Sequence, residues 1–290
     1  MKITEFLKAK RKVFSFEFYP PKTEEDARRL FDSARELKAL NPDFVSITNS
    51  SSGSMPYRTV ALSGVLKAEL GLEVVAHLTC VAHSRVEIKE ICVRLKAMGV
   101  KNILALRGDI HNIEGTPVKR EYHYATQLVA DLKLSGDFSI GGACYPEKHP
   151  GAPTFEEDIV HLKEKVDAGA EYLITQLFFS NDSYFRFLDK TLAAGINVPI
   201  LPGLMPLTGY KQLENLTKLM KVSVPEVVRA GLERWADDKE SLFKFSVDYA
   251  SVQARELLEK GSPGLHLYTL NRSRAAIAIL KNVKEGPGPR

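Results

Sequence analysis

The hydrophobic pattern of this chain alternates between two periods. Short runs rich in β-branched and aromatic residues are followed by longer stretches in which apolar residues recur at helical spacing. The short runs predict strands at residues 13–19, 44–48, 73–78, 102–106, 138–144, 172–178, 198–201 and 265–270. The longer stretches predict helices at residues 24–40, 57–70, 84–98, 124–134, 155–168, 182–194 and 272–283, with two or three more within 210–260. Thr23 is a candidate N-cap, and Gly99, Gly169 and Gly195 are candidate helix stops.

Alternation of strand and helix indicates a parallel sheet, because parallel strands need a crossover connection. Eight such units over 290 residues match the TIM (β/α)8 barrel, which typically has about 250 residues. A doubly wound open sheet is the competing architecture, but no GxGxxG follows the first strand. We expect an α/β fold in which residues 1–290 form a single (β/α)8-barrel domain. Extra helices precede its last strand, and residues 284–290 form a frayed tail.

Composition and charge exclude several classes of protein. With 44% hydrophobic and 26% charged positions, the chain is not a disordered polar sequence. No stretch approaches the roughly 20 uncharged apolar residues of a membrane span. The N-terminal sequence lacks the apolar run of a secretory signal, so we expect a cytoplasmic protein. The formal charge of +4 is dispersed apart from short basic runs at 8–12 and 119–120, which argues against a nucleic-acid partner.

The three cysteines, Cys80, Cys92 and Cys144, show no paired spacing. An odd number without a CxxC argues against a disulfide framework and against a zinc site built on that motif, and we expect no metal. Cys80 and Cys144 lie near strand ends, so a reactive role stays open for them. Burial as small hydrophobic residues is the favoured interpretation for all three.

Polar residues cluster at one predicted end of the strands. In a barrel, catalytic groups come from the carboxyl ends of the strands and from the loops that follow. Seven of the eight predicted strands carry hydrogen-bonding or ionisable residues there: Glu17, Thr48, Asn49, His77, Thr79, Arg107, Asp109, Tyr145, Glu147, His149, Thr175, Gln176, Tyr268, Asn271 and Arg272. Core packing alone does not explain this distribution, which indicates a barrel enzyme acting on a small molecule.

Each candidate also has a structural interpretation. Glu17 stands between Phe16 and Phe18, where an apolar setting would raise the pKa of its carboxyl, as a catalytic acid requires. A structural salt bridge is the alternative. Arg107 and Asp109 could pair with each other, and His77 could be a satisfied core histidine. Gln176 in an apolar strand needs a partner, either a ligand or a neighbouring backbone group. The aromatic residues Tyr145, Phe178, Phe179 and Tyr184 are expected to belong to the core.

Nine segments then resemble one known family in order and spacing. They read FEFYPPK, FVSIT, AHLTC, ALRGD, CYPEKHP, LKEKVDAGA, ITQLFF, PILPGLMP and LYTLNR. Together they closely resemble methylenetetrahydrofolate reductase in its short prokaryotic form, over nearly the whole chain. The family fold is a TIM barrel, which agrees with the strand count.

The resemblance implies a flavin-dependent oxidoreductase. The family uses FAD, with electrons from NADH or NADPH, to reduce 5,10-methylenetetrahydrofolate to 5-methyltetrahydrofolate. Glu17 resembles the general acid that protonates N10 as the ring opens to the 5-iminium cation, to which reduced FAD delivers hydride. Asp109 resembles the carboxylate that lies near the flavin and the folate. Gln176, Gln212 and Arg272 resemble further substrate contacts.

The resemblance also implies a set of cofactor contacts. These are Thr48, His77, Arg107, Gly108, Asp109, Tyr124, Ala125, Tyr145, His149, Asp158, His161 and Lys165. Arg107 and Lys165 suit the charge of the pyrophosphate. Three positions depart from the family pattern. His161 replaces a small polar residue, Glu164 stands where a basic residue often flanks the FAD phosphates, and Leu216 replaces a common aromatic. Glu164 is expected to weaken FAD binding.

Three alternatives stay open beside the NAD(P)H-driven reductase. The same chemistry could be driven through an accessory electron-transfer subunit, or the chain could be a non-catalytic subunit that binds folate or flavin. A barrel lyase using a Schiff-base lysine would need a lysine within a strand, and the predicted strands offer none centrally. We also expect self-association into a homo-oligomer and no regulatory domain after the barrel.

Overall fold

The computed structural model describes residues 1–9, 12–49, 56–109, 121–207 and 209–285. Residues 10–11 of the basic run at 8–12, both residues of the basic run at 119–120 and tail residues 286–290 lie outside this part of the chain. Within it, the strands form one parallel sheet. They are β1 (Val13–Phe18), β2 (Phe44–Ile47), β3 (Val74–Thr79), β4 (Asn102–Leu106), β5 (Ser139–Cys144), β6 (Tyr172–Thr175), β7 (Ile200–Leu201), β8 (Gly203–Leu204) and β9 (Gly264–Tyr268).

The sheet curves into a nearly closed barrel. Its strand order is β7-β6-β5-β4-β3-β2-β1-β9-β8, and every pairing is parallel. Only Pro202 separates β7 from β8, so these two short strands are the halves of one predicted strand. Proline has no N–H group for a sheet ladder, whereas its carbonyl accepts a hydrogen bond from the backbone N–H of His266 at 2.9 Å. The TIM-barrel prediction is confirmed, with its seventh strand divided.

Helices connect the strands and cover the outside of the barrel. They are α1 (Ile3–Lys8), α2 (Glu24–Lys38), α3 (Pro56–Leu70), α4 (Arg85–Ala97), α5 (Ala125–Ser135), α6 (Phe155–Asp167), α7 (Asn181–Ala193), α8 (Tyr210–Met220), α9 (Glu226–Arg234), α10 (Lys239–Glu259) and α11 (Ser273–Glu285). The helices α8, α9 and α10 are the predicted excursion before the last strand. Thr23 caps α2 as expected, since its Oγ1 accepts a hydrogen bond from the N–H of Asp26 at 3.1 Å.

The alternation of side chains along each strand gives the barrel an outward-facing layer, packed against the helices, and an inward-facing layer. Phe16 and Phe18 of β1 point outward and pack in one cluster with Leu30 and Leu37 of α2. The intervening side chain of Glu17 points into the barrel, because successive side chains of a strand face opposite sides. The outward positions of β1 therefore carry aromatic residues, whereas its inward positions include the polar residues Ser15 and Glu17.

The helix α1 closes the amino-terminal end of the barrel and was not predicted. Ile3 is fully buried with Val13, Phe44 and Tyr172, and its N–H donates to Asn102 Oδ1 at 2.9 Å. A helix of six residues carries too little periodicity to be recognised in a basic segment. Its stability comes from the barrel that it covers.

Strand β6 ends earlier than predicted. Thr175 Oγ1 accepts a hydrogen bond from the N–H of Gly203 at 2.8 Å, and Tyr268 donates its hydroxyl to the Thr175 carbonyl at 2.6 Å. The hydroxyl and the carbonyl of Thr175 are thus bonded to residues of β8 and β9, and the strand ends at Thr175. Phe178, Phe179 and Tyr184 are buried beyond it, which confirms their predicted place in the core.

Candidate functional site

The carboxylate of Glu17 lies in the barrel interior near the carboxyl ends of the strands. Its Oε2 is 3.4 Å from Ser46 Oγ and 3.5 Å from Nε2 of both His77 and His266. The Glu17 side chain is 18% exposed, whereas that of His266 is 0% exposed. One edge of the carboxylate is therefore open while the other faces a buried polar group.

Strand register explains this arrangement. Glu17 pairs with Ser46 on one side and with Tyr268 on the other, and Ser15 pairs with His266. Partners in register point to the same face of the sheet, so all of these side chains enter the barrel. The aromatic neighbours of Glu17 in sequence face the opposite side, so they do not create the apolar setting that the sequence predicted.

The pKa of Glu17 is also opposite to the prediction. Burial raises the pKa of this carboxyl, but the hydrogen bond with His266, the electrostatic interactions with the His77 and His266 imidazoles and the hydrogen bond from Ser46 together lower it below its ordinary value. The structure thus favours an ionised carboxylate when no ligand is bound. The predicted raised pKa is wrong for this state.

The pKa of His77 is lowered, although the neighbouring carboxylate of Glu17 favours the protonated imidazole. Burial lowers its pKa to about 4. Its Nε2 is buried without a hydrogen-bond partner among the described residues. His77 is therefore a neutral imidazole at neutral pH, and it is not the satisfied core histidine that the sequence favoured.

A second group of predicted residues surrounds the loop after β5. The N–H of His149 donates to Asp158 Oδ2 at 2.8 Å. The rings of Tyr145 and His149 are packed edge to face, with their centroids 4.6 Å apart. Lys165 donates from Nζ to the Ala143 carbonyl at 2.8 Å. Both the burial of His149 and the charge of Arg107 lower the pKa of His149. Two cations thus lie close to an imidazole kept neutral by its surroundings.

Burial also affects the other ionisable groups of this loop. It lowers the pKa of Lys165 and raises the pKa of Tyr145 to about 12. At neutral pH the phenol therefore stays protonated and can act as a hydrogen-bond donor.

The turn after β4 strongly disfavours a side chain at Gly108. The φ of Gly108 is +90°, and a Cβ there would lie 3.0 Å from Val81 Cγ1 and 3.1 Å from Thr79 Cβ. Asp109 follows on the exposed side. Thr48 directly follows β2 beside β1, where its N–H donates to the Phe18 carbonyl at 2.9 Å. These residues place backbone close to the open end of the barrel.

Tyr124 and His161 meet outside the barrel. Their rings are stacked with centroids 6.3 Å apart, and Ala125 begins α5 directly after Tyr124. The Nδ1 of His161 lies 3.2 Å from Glu164 Oε2, and all three side chains are exposed. The carboxylate of Glu164 therefore faces an imidazole of the same helix.

The predicted substrate contacts lie on three different segments of the chain. Gln176 follows β6, and its Oε1 accepts a hydrogen bond from the N–H of Leu177 at 2.8 Å. Gln212 of α8 lines a cleft of about 420 Å³ together with Met205, Leu216 and Leu270. Arg272 is exposed at the start of the turn into α11. The Gln176 side chain therefore has a neighbouring backbone group as a hydrogen-bond partner, which is one of the two alternatives that the sequence offered.

Sequence reasoning missed the residues behind Glu17, namely Ser15, Ser46 and His266. It searched the carboxyl-terminal halves of the strands, whereas His266 lies in the middle of β9. The available signal was the strand period, because inward positions alternate along each strand and a histidine or serine there is not ordinary core. Glu147 was among the polar residues at strand ends but received no predicted function. Its Oε2 accepts a hydrogen bond from Ser223 Oγ at 2.7 Å and so joins two loops.

The cysteines show no sign of reactivity. All three are free and buried, and burial raises the pKa of Cys80 to about 12 and that of Cys92 to about 11. Among the described residues, no group of three or more His, Cys, Asp or Glu could hold a metal ion. The described helices include none that is both long and apolar enough to cross a membrane.

Known proteins resemble this chain along nearly its whole length. The family profile "Methylenetetrahydrofolate reductase" matches residues 2–284. The 5,10-methylenetetrahydrofolate reductase of Pectobacterium carotovorum subsp. carotovorum is 38% identical over 265 residues, covering 91% of this chain and 88% of that protein. The protein of the same name from Escherichia coli (strain K12) is 37% identical over 274 residues, covering 94% and 91%.

A plant relative and a solved structure extend the comparison. The probable methylenetetrahydrofolate reductase (NADH) of Oryza sativa subsp. japonica is 35% identical, and the match covers 97% of this chain but 50% of that protein. A Clostridium thermocellum protein that binds two copies of 5-methyl-5,6,7,8-tetrahydrofolic acid shares the fold, with a TM-score of 0.67, 16% identity and coverage of 98% and 99%. The match over residues 2–284 and the identity to the bacterial enzymes show that the chain belongs to the methylenetetrahydrofolate reductase family.

Proposed function

We propose that this chain reduces 5,10-methylenetetrahydrofolate to 5-methyltetrahydrofolate with FAD as its cofactor and NADH or NADPH as the electron source. Family membership makes it a methylenetetrahydrofolate reductase, an oxidoreductase. The observation that carries the finer assignment is the position of Glu17, the acid motif residue, inside the open end of the barrel.

The residues at the open end fit a flavin nucleotide. Buried atoms without a partner, His77 Nε2 and Asn49 Oδ1, offer hydrogen bonds to a polar ring system. Gly108 lets a ligand approach the backbone closely, and Arg107 with Lys165 supplies positive charge suited to a pyrophosphate. The residues that would hold FAD are Thr48, His77, Arg107, Gly108, Asp109, Tyr124, Ala125, Tyr145, His149, Asp158, His161 and Lys165. When bound, the flavin supplies the hydride for the reduction.

Glu17 is assigned the proton transfer. Opening the five-membered ring of the substrate requires a proton at N10, and the open edge of the Glu17 carboxyl faces the end of the barrel where a ligand enters. The ligand-free site favours the carboxylate. A ligand over the open edge excludes water and disfavours that charge, which raises the pKa of the carboxyl toward the value an acid needs.

The remaining residues bind and orient the substrate. The negative charge of Asp109 stabilises the cationic 5-iminium form of the folate. Gln176 and Gln212 offer amide donors and acceptors to the pterin and its linker. The exposed guanidinium of Arg272 suits a carboxylate of the folate tail.

The visible spectrum of the purified protein tests the cofactor. A flavin band that bleaches under anaerobic NADH and returns on adding methylenetetrahydrofolate supports the proposal. Bleaching with NADPH alone would select that donor. A band that neither nucleotide bleaches, or no band after adding FAD, contradicts an NAD(P)H-driven flavoenzyme and favours an accessory electron-transfer subunit or a non-flavin role.

The Glu17→Gln variant tests the acid. Glutamine keeps the size of the side chain but donates no proton, so folate reduction should fall by about 10²–10⁴-fold. Flavin binding and bleaching by NADH should persist, because neither needs this proton. Glu90→Gln, on the exposed face of α4, is the matched control and should behave like the parent protein. Unchanged folate turnover in Glu17→Gln would remove the acid role.

A further inference from the structure

A buried polar chain continues from Glu17 into the barrel. His266 Nε2 lies 3.5 Å from Glu17 Oε2, and His266 Nδ1 lies 2.7 Å from Ser15 Oγ. Ser46 Oγ is 3.5 Å from the same Nε2 and 3.4 Å from the carboxylate. Both nitrogens of the imidazole therefore face polar atoms, with the carboxylate at one end and a serine at the other.

The orientation of the His266 ring is fixed by its neighbours. It is fully buried, stacks on Phe44 with centroids 6.1 Å apart, and meets the ring of Tyr268 at 87°. An aliphatic side chain would fill this layer of a barrel without the cost of burying polar nitrogens. The histidine is thus held in one orientation, and that orientation directs Nε2 at Glu17.

A hydrogen bond to the carboxylate has a definite chemical effect. When Glu17 gives its proton to N10 of the substrate, the O–H bond breaks and the carboxylate gains a full negative charge. In the tautomer that carries the proton on Nε2 and accepts the Ser15 hydroxyl at Nδ1, the Nε2–H group of His266 stabilises that charge. A donor to the conjugate base makes the acid stronger, so this contact opposes the rise that ligand binding causes.

We propose that His266, oriented by Ser15, is the positioning residue that sets the pH range over which Glu17 can give its proton to the substrate. This inference rests on the proposed function, because it concerns the same proton. His266 does not touch the substrate in this assignment; it acts through Glu17.

The other groups that face Glu17 and His266 do not titrate in the working range. His77, from β3, has a pKa of about 4 because it is buried, and it is neutral at neutral pH. Tyr268, from β9, has a pKa well above its ordinary value, chiefly through burial. A pH-dependent step in this site is therefore assigned to the Glu17 carboxyl, which His266 contacts.

The test measures the rate at which methylenetetrahydrofolate reoxidises the reduced flavoprotein, as a function of pH. In His266→Leu the donor is lost while burial remains, so the rate should fall about tenfold and its descending limb should move up by about one pH unit. In His266→Gln an amide N–H can reach the carboxylate, so the limb should stay close to that of the parent. Flavin reduction by NADH, measured on the same samples, serves as the reference for folding and cofactor binding.

Each outcome decides a different claim. A shifted limb in His266→Leu with rescue by His266→Gln supports the positioning role, since a purely structural defect lowers the rate at every pH alike. A parent-like limb in His266→Leu overturns it and leaves the proposed function intact. If His266→Leu does not fold, Ser15→Ala decides: a smaller upward shift supports the role and an unmoved limb overturns it. A parent protein that methylenetetrahydrofolate cannot reoxidise overturns the proposed function instead.

Discussion

The charge state of His77 depends on its burial. Its side chain is 7% exposed and its pKa is about 4 in the folded protein, whereas a histidine in an unfolded chain has a pKa of about 6.5. Between these two values the unfolded chain binds more protons than the folded one. Stability therefore rises with pH across this window and is lost as the pH falls through it.

This difference predicts an acid-sensitive fold. From pH 7 to pH 5, His77 should lower the free energy of unfolding of the ligand-free protein by roughly 2 kcal/mol. Urea denaturation at the two pH values measures the change, and His77→Asn should lose most of this part of it. His123→Asn, at an exposed position, should retain the parent's dependence. Equal pH dependence in the parent and in His77→Asn would contradict the burial argument.

At the scale of elements, α1 acts as the floor of the barrel. Ile3 is fully buried against interior residues of several strands, and the helix is too short to be stable alone. Its contribution therefore depends on filling the amino-terminal end of the barrel, far from the open end that carries Glu17.

Truncating that contact should destabilise the protein without changing the site. Ile3→Ala leaves a cavity and should cost about 2–5 kcal/mol of unfolding free energy in urea denaturation. Val86→Ala removes an exposed side chain of α4 and should cost less than about 0.5 kcal/mol. Similar losses in both variants would show that α1 does not seal the barrel.

The divided seventh strand is a second element with a testable constraint. A Cβ at Gly203 would lie 2.5 Å from the Thr175 carbonyl and 2.7 Å from the Tyr268 ring. Gly203→Ala should cost about 1–3 kcal/mol in thermal or urea unfolding, since backbone cannot move aside cheaply. Gly209→Ala, where no atom lies within 4 Å of the added Cβ, is the control and should be nearly neutral. A neutral Gly203→Ala would mean that β8 can shift from the position described.

At the scale of the whole molecule, charge is distributed unevenly over the predicted cofactor surface. Arg107 and Lys165 supply positive charge near His149, whereas Glu164 and His161 pair on the exposed part of α6. Because His161 contacts the carboxylate of Glu164, we expect the predicted weakening of FAD binding to be partly offset. The direction in which Glu164 changes the affinity for FAD can be measured.

Reversing this charge should strengthen cofactor binding. Glu164→Lys should lower the Kd for FAD by roughly three- to tenfold in a fluorescence titration of the apoprotein, and the gain should shrink at high salt because the site is exposed. Glu90→Lys makes the same change of charge on α4 and should leave the Kd within about twofold. An unchanged Kd in Glu164→Lys would place the phosphates away from this helix.

Local patterns predicted the order of elements well. Strand β4 was predicted without error, and α2 begins at the residue that follows its predicted cap, because periodicity and capping are properties of neighbouring residues. Boundaries failed where distant contacts intervene, as at Thr175, whose hydroxyl and carbonyl bond to residues far along the chain. The residues at strand ends, such as Glu17 and Thr175, were expected at the carboxyl ends of the strands and lie there, whereas Tyr124 and His161 lie outside the barrel; the roles of all of them stay predictions.

The sequence by itself determined the alternation of strands and helices, the barrel class and the family, since each resides in periodicity or in contiguous motifs. Only the tertiary structure decided the surroundings of Glu17. Ser15 and His266 are 251 residues apart in sequence and meet because the first strand pairs with the last. The pKa of a buried carboxyl depends on the groups that lie close to it in space rather than on its neighbours in sequence. Phe16 and Phe18 suggested a raised pKa for Glu17, whereas the groups that barrel closure brings to it lower that pKa.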